Sequence, residues 1–280
     1  MRLAFRLSYD GNQFRGSQLQ PAYRTVEGEL ITACQRVQLF DDPVRAGFAL
    51  AGRTDRGVHA RGQIGAFSTP FPERAVDALN GQLSADLWCT GFAQVPSSFH
   101  PRFDAISRTY RYFFSDWPLD IGAMDLAAQA MIGTHNFSRL ARVREKSPMR
   151  TVASARVFLD QGIPVFEVTA HTYLWHMVRC MAAALLSIGT HEREPELIQR
   201  LLSGECRRNP PAAPAEGLVL WDVDCGVTFI SIGADPRSRG WIEAARREAT
   251  VRERIIGLLE RGGVDRRGEE PVDDGRRNLL

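Results

Sequence analysis

The chain has 280 residues, 44% of them hydrophobic and 24% charged, with a formal net charge of +2 at pH 7. This balance excludes a disordered chain and a polycation, and the length suffices for one large domain or two of ordinary size. Met1-Arg2-Leu3-Ala4-Phe5-Arg6 lacks the apolar block of a secretory signal, and the most apolar helical run, 180–189, falls well short of a membrane span, so a cytoplasmic protein is expected.

Leu3, Phe5, Leu7 and Tyr9 alternate with polar or small residues, the pattern of a strand with one buried face, and Asp10-Gly11-Asn12 breaks it. Thr25 is placed to cap a helix over 27–37, where Val26, Leu30, Cys34 and Val37 make an apolar stripe. A strand over 44–50, a glycine-rich loop and a strand over 64–67 follow. A helix over 73–83 and a strand over 87–95 close a β-α-β-β-α-β unit, the ferredoxin-like order. After a linker at 96–101, the pattern predicts a strand over 109–114, a helix over 124–132 that Gly133 ends, and a polar, basic loop over 133–149. A hairpin, 152–159 and 165–170, turns at Asp160-Gln161-Gly162. Helices over 174–188 and 194–202 and a strand over 218–223 complete a second such unit with one extra helix.

The expected architecture is therefore α+β, two ferredoxin-like halves (1–105 and 106–235) with mainly antiparallel sheets facing a central cleft. Residues 236–280 form an extension: a charged amphipathic helix over 241–261, stopped by Gly262-Gly263, and a disordered tail over 265–280.

The glycine-rich loop concentrates unusual residues. It places one carboxylate, Asp55, among Arg53, Arg56 and Arg61, with glycines at 52, 57 and 62 that allow sharp turns or close approach to a ligand. An acid among arginines stays ionised, which suits a nucleophile or base, although the same pattern also describes a solvated turn with a salt bridge. All but one of the 35 basic residues are arginine, Lys146 being the exception; arginine favours phosphate contacts and base stacking, although such richness can also reflect codon composition. The five cysteines form no C-x-x-C pair, and the six histidines show no ligand spacing, so neither a metal nor a disulfide framework is expected.

Ala51-Gly52-Arg53-Thr54-Asp55-x-Gly57-Val58-His59-Ala60-x-Gly62-Gln63 resembles the catalytic motif of the TruA family, the tRNA pseudouridine synthases acting on the anticodon arm. Further blocks resemble that family in order: Tyr9-Asp10-Gly11 with Phe14, Gly16 and Gln18; Phe99-His100-x-Arg102-Phe103; Arg108-x-Tyr110-x-Tyr112; Gly133-x-His135-Asn136-Phe137; His176-Met177-Val178-Arg179; and Pro214-Ala215-x-Gly217-Leu218. The resemblance covers about residues 2–225.

The resemblance implies that Asp55 is the catalytic residue of uridine isomerisation, without metal or cofactor. It implies that Tyr110 stacks on the extruded uracil, that Arg179 pairs with Asp55, and that Leu218 forms an apolar wall. It implies a homodimer with one tRNA lying across both subunits. Independently of the family, an arginine on the otherwise apolar helix containing Arg179 needs a partner to be buried. Arg53 is either a phosphate clamp or a second charge partner, and His59 is read as structural. Arg56, Arg61, Arg142 and Arg144, with the basic loop 139–150, are the expected phosphate contacts. Two departures lie near the acid: Ser17 where a tryptophan is usual, and Arg56 where a small residue is usual. The rival readings are a non-catalytic RNA-binding protein on the same fold and a metal-dependent hydrolase using Asp55 and His59.

Overall fold

The computed structural model describes residues 1–116, 118–143, 147–206 and 208–260. Its centre is a 10-stranded sheet in the order β10-β4-β1-β3-β9-β5-β8-β7-β6, with the short β2 pairing onto β3. The N-terminal strands are β1 (Arg2–Tyr9), β2 (Ala49–Leu50), β3 (His59–Ser68) and β4 (Leu87–Val95); α1 (Val26–Arg36) and α2 (Pro72–Asn80) connect them. The remaining strands are β5 (Ser107–Phe113), β6 (Gly133–Asn136), β7 (Met149–Asp160), β8 (Ile163–Ala170), β9 (Leu218–Asp224) and β10 (Ile230–Ser231). With α3 (Ile121–Gln129), α4 (Met177–Gly189), α5 (Leu197–Leu202) and α6 (Pro236–Glu260), the described residues form six α-helices.

Neighbouring strands run antiparallel except at one seam. There β3 and β9 pair in parallel, with His59 opposite Val219 and Ala60 opposite Leu220. The seam joins the N-terminal strands to the C-terminal ones, and it begins directly after the Asp55 loop. Gly62 makes this approach possible: a Cβ there would lie 2.7 Å from the Trp221 carbonyl oxygen.

Local signals explain several elements. The Thr25 hydroxyl accepts from Gly28 N at 3.2 Å and starts α1, as its sequence position predicts. Leu30, Cys34, Phe5, Leu7 and Phe67 are buried in the main core. The expectation of one buried face for β1 is corrected, because the strand is central: Ala4 packs with Ala66, Val95 and Phe99 in a second small cluster on its other face.

Other boundaries also move. The strand expected over 44–50 shrinks to Ala49–Leu50. Asp42 instead accepts from Val44 N through its side chain and from Ala46 N through its carbonyl, which curls the chain into a turn and leaves Val44 85% exposed. Strand β3 starts at His59 rather than at Ile64. Part of the loop expected at 133–149 is an edge strand, β6, paired residue for residue with β7. Helix α4 starts at Met177, three residues later than expected, because His176 adopts φ 61°.

Beyond β10 the chain docks on the N-terminal strands and α2. Arg237 donates to the Asn80 carbonyl at 2.6 Å, and Trp241 meets Trp88 with centroids 6.3 Å apart. The apolar stripe expected on the charged helix is exposed, with Val251, Ile255, Leu258 and Leu259 all more than half accessible. The expected helix end at 261, the Gly262-Gly263 stop and the tail over 265–280 lie outside the described residues. No described helix is long and apolar enough to cross a membrane.

Candidate active site

The Asp55 loop is anchored at Ala51, Gly52 and Thr54. The buried Gln63 amide brackets Gly52: it accepts from Gly52 N at 3.1 Å and donates to Gly52 O at 2.8 Å. Thr54 is held from two directions. Its N donates to the Ser17 hydroxyl at 2.8 Å, its O accepts from Ser17 N at 3.0 Å, and its hydroxyl lies 2.8 Å from the Tyr9 hydroxyl. Ser17, the departure from the family pattern, is thus a buried clamp on the residue preceding the acid. Gly57, at φ 84°, supplies a left-handed turn after Asp55 that a side chain would strain.

The loop's other anchor is Arg108 on β5, which is 6% exposed. Its guanidinium donates to the carbonyls of Ala51 (3.2 and 2.7 Å), Arg102 (2.8 Å) and His171 (2.6 Å). One buried cation therefore ties together the start of the Asp55 loop, the segment before β5 and the segment leading to α4.

Asp55 meets its partners across the seam. Arg179, in the first turns of α4, places Nη1 3.3 Å from Asp55 Oδ2, and His176 Nε2 lies 3.3 Å from the same oxygen. The Trp175 indole donates to Oδ1 at 3.2 Å. Arg179 is itself oriented, because its Nε donates to the Ala213 carbonyl at 2.6 Å while Ala213 N donates back to the Arg179 carbonyl. The Arg179 side chain is 16% exposed and that of Asp55 is 33% exposed, so the pair is shielded and the carboxylate can still be reached.

Tyr110 lies in this neighbourhood. A Cβ built on Gly52 would be 3.8 Å from the Tyr110 hydroxyl and 3.8 Å from Leu220. Burial above all, with a smaller contribution from the Asp55 charge, pushes the Tyr110 phenol well above its ordinary range, so it stays protonated as a donor. The Tyr173 ring meets it edge-on at 5.1 Å. Tyr112 faces the same side two residues on, packed against Phe114 at 5.0 Å, with burial raising its phenol to about 12. Leu218 is buried opposite Tyr112 on β9, whereas Leu220 stands opposite Tyr110.

The arginines adjacent in sequence do not pair with the acid: among the described residues, its arginine partner is Arg179, with His176 Nε2 at 3.3 Å. Arg53 and Arg56 are exposed. Arg53 lines, with Gly52, His100, Arg102 and Phe103, a cleft of about 230 Å³ beside the loop. Arg61 lies 4.5 Å over the Trp221 ring and Arg142 lies 5.4 Å over Trp175. Arg144 is outside the described residues. His59 faces away from the acid's partners, with Nδ1 3.1 Å from Asp10 Oδ1 and from Gly11 N, and Nε2 3.1 Å from the Glu216 carbonyl. The side-chain hydrogen bond between His59 and Asp10, more than any other influence, holds the Asp10 carboxyl below its usual range. Sequence reasoning missed Trp175, His176 as a partner of Asp55, and Arg108 as an anchor; a tryptophan beside a motif carries no signal until the fold brings it to the carboxylate.

A carboxylate held by a cation and an indole donor, with an imidazole nitrogen 3.3 Å away and a protonated phenol nearby, is equipped to attack or to take a proton at a substrate that reaches it. A family model described as tRNA pseudouridine synthase matches residues 127–224. The chain belongs to the tRNA pseudouridine synthase family. It is 86% identical over 280 residues, all of both chains, to the tRNA pseudouridine synthase A of Methanosphaerula palustris. It is 54% identical to that of Methanoculleus marisnigri over 85% of this chain and 88% of the relative, and 41% identical to that of Thermococcus kodakarensis over 94% and 97%.

Proposed function

We propose that the chain isomerises uridine to pseudouridine in the anticodon arm of tRNA, with Asp55 as the catalytic carboxylate. Uridine isomerisation in tRNA is the activity of the family; the anticodon arm and the residue roles are inferred. The observation that carries the reading is the meeting of Asp55 with Arg179 across the seam, at 3.3 Å, beside Tyr110. The reaction breaks the bond from C1′ to N1, turns the base, forms the bond from C1′ to C5, releases the C5 proton and returns a proton to N1. It balances with no oxidant, reductant or second substrate. Asp55 serves equally as nucleophile toward the base or the sugar, or as the base that removes the proton, and each needs the same anchored carboxylate.

Tyr110 stacks on the extruded uracil, returning about 1–3 kcal/mol of the few kcal/mol that extrusion costs. Leu218 contributes an apolar wall, and Arg53, Arg56, Arg61, Arg142 and Arg144 contact phosphates. The strand orders β4-β1-β3-β2 and β9-β5-β8-β7 support two ferredoxin-like halves, 1–105 and 106–235, around the cleft. The family resemblance supports a homodimer that binds one tRNA across both subunits.

The test is to map pseudouridine in transcribed tRNA by carbodiimide modification and primer extension after incubation with wild type or Asp55→Asn. Stops at anticodon-arm uridines with the wild type alone are expected. Stops only outside that arm, or equal stops with both proteins, contradict the proposal.

A further inference from the structure

Trp175 belongs to none of the motifs above, yet its indole Nε1 points at Asp55 Oδ1 from 3.2 Å. Arg179 holds the other oxygen, Oδ2. A carboxylate gripped at one oxygen rotates about its terminal torsion; gripped at both by donors four residues apart on one rigid segment, it does not. We propose that Trp175 is a positioning residue for the reaction: its indole N–H, together with Arg179, fixes the plane of the Asp55 carboxylate. This rests on the reading of Asp55 as the reacting group.

The two donors differ in a useful way. Indole nitrogen only donates and does not titrate, so it orients the carboxylate without neutralising it or competing for its proton. Trp175 is itself held firmly. Leu174 before it is buried, and its carbonyl accepts from Met177 N at 3.1 Å. The Trp175 carbonyl accepts from Arg142 N at 2.9 Å, and the Arg142 guanidinium covers the ring at 5.4 Å. On the other side the His176 ring lies at 4.3 Å, with its backbone in the left-handed region at φ 61°. For a histidine that backbone conformation is uncommon and costs about 1 kcal/mol or more, a strain that clusters at functional sites. It turns the chain sharply into α4, so that residues 175 and 179 reach the same carboxylate.

The test compares Trp175→Phe, which keeps a ring under Arg142 but removes the donor, with Trp175→His. The imidazole Nε2 occupies the same place in its five-membered ring as the indole Nε1, so the donor is restored. Loss of a hydrogen bond to a charged group predicts that Trp175→Phe lowers kcat on transcribed tRNA by about tenfold to a hundredfold, with KM changed by less than about twofold. Trp175→His is expected to recover kcat to within about threefold of wild type. A wild-type kcat in Trp175→Phe, an equal loss in both variants, or a loss carried by KM overturns the proposal. Asp55→Asn, run beside them, separates the two readings: if it stays active, the assignment of Asp55 fails first. A second measurement covers a Trp175→Phe protein that does not fold. Of the five tryptophan indole signals in a ¹⁵N correlation spectrum, one is expected to move upfield in Asp55→Ala, and the same signal to vanish in Trp175→His. No such movement overturns the proposal.

Discussion

Arg108 shows how much of the candidate site rests on a single side chain. Its guanidinium satisfies three carbonyls from three segments, with no carboxylate partner among the described residues. Replacing it by methionine leaves those oxygens without donors. Each buried unsatisfied group costs about 1–3 kcal/mol, so Arg108→Met is expected to destabilise the chain by roughly 3 kcal/mol or more. At about 2–4 °C per kcal/mol for a chain of this size, a scanning calorimeter would record a fall of about 6–12 °C; an unchanged melting temperature would refute the anchoring role. Arg111, three residues on, lies on the other sheet face and pairs with the directly opposite Glu167 at 2.7 Å; the motif names Arg108 but not the carbonyls it anchors. The meeting of Asp55 with Arg179 was legible because both sit in motifs of the resembled family. The duties of the arginines beside Asp55 were not, because proximity in sequence says nothing about which cation a loop turns toward. The acid meets Arg179, 124 residues away.

At the level of elements, strands and helices followed periodicity where an element has one clearly apolar face, as in α1 and β4. Two kinds of element escaped. The central strand β1 is buried on both faces, because alanine at 4 reads as small and is in fact core. The edge strand β6 reads as loop, since Gly133-Thr134-His135-Asn136 is polar and its identity comes only from pairing with β7. The parallel seam of β3 with β9 had no local signal except Gly62, whose missing side chain admits the Trp221 carbonyl. A methyl at 2.7 Å from that oxygen forces the strands apart. Gly62→Ala is therefore expected to cost about 1–3 kcal/mol in urea unfolding and to lower kcat, because the seam sets where the Asp55 loop meets α4. Wild-type stability and kcat together would show that the seam tolerates the added carbon and does not govern the site.

The whole molecule carries a pH signature in its buried phenols. Burial raises the Tyr9 and Tyr112 phenols to about 12 and those of Tyr110 and Tyr173 further. In the unfolded chain these groups ionise near 10. Below pH 10 both states hold their protons and this contribution to stability is complete. Above it the unfolded state releases protons first, so stability falls as pH rises from about 10 toward 12. Urea titrations at pH 8, 10 and 11 are expected to show stability falling over both intervals. It falls first as the thiols of Cys34, Cys89 and Cys180, likewise raised by burial, lose protons in the unfolded state, then more steeply as the phenols do, with phenolate absorbance of these four phenols at 295 nm appearing together with unfolding. In a Tyr23→Phe background, which removes the exposed tyrosine, phenolate formed at pH 11 in the folded protein would contradict the burial assigned to these side chains.

The central claim is that this molecule isomerises uridine in tRNA through the carboxylate held at its seam. Its most direct measurement is tritium released from transcribed tRNA labelled at C5 of uridine, because forming the new bond from C5 to C1′ expels the C5 proton. Wild type is expected to release tritium in proportion to pseudouridine formed, and Asp55→Asn, folded and with wild-type melting, to release none above background. No release by the wild type, or equal release by the variant, would contradict the account.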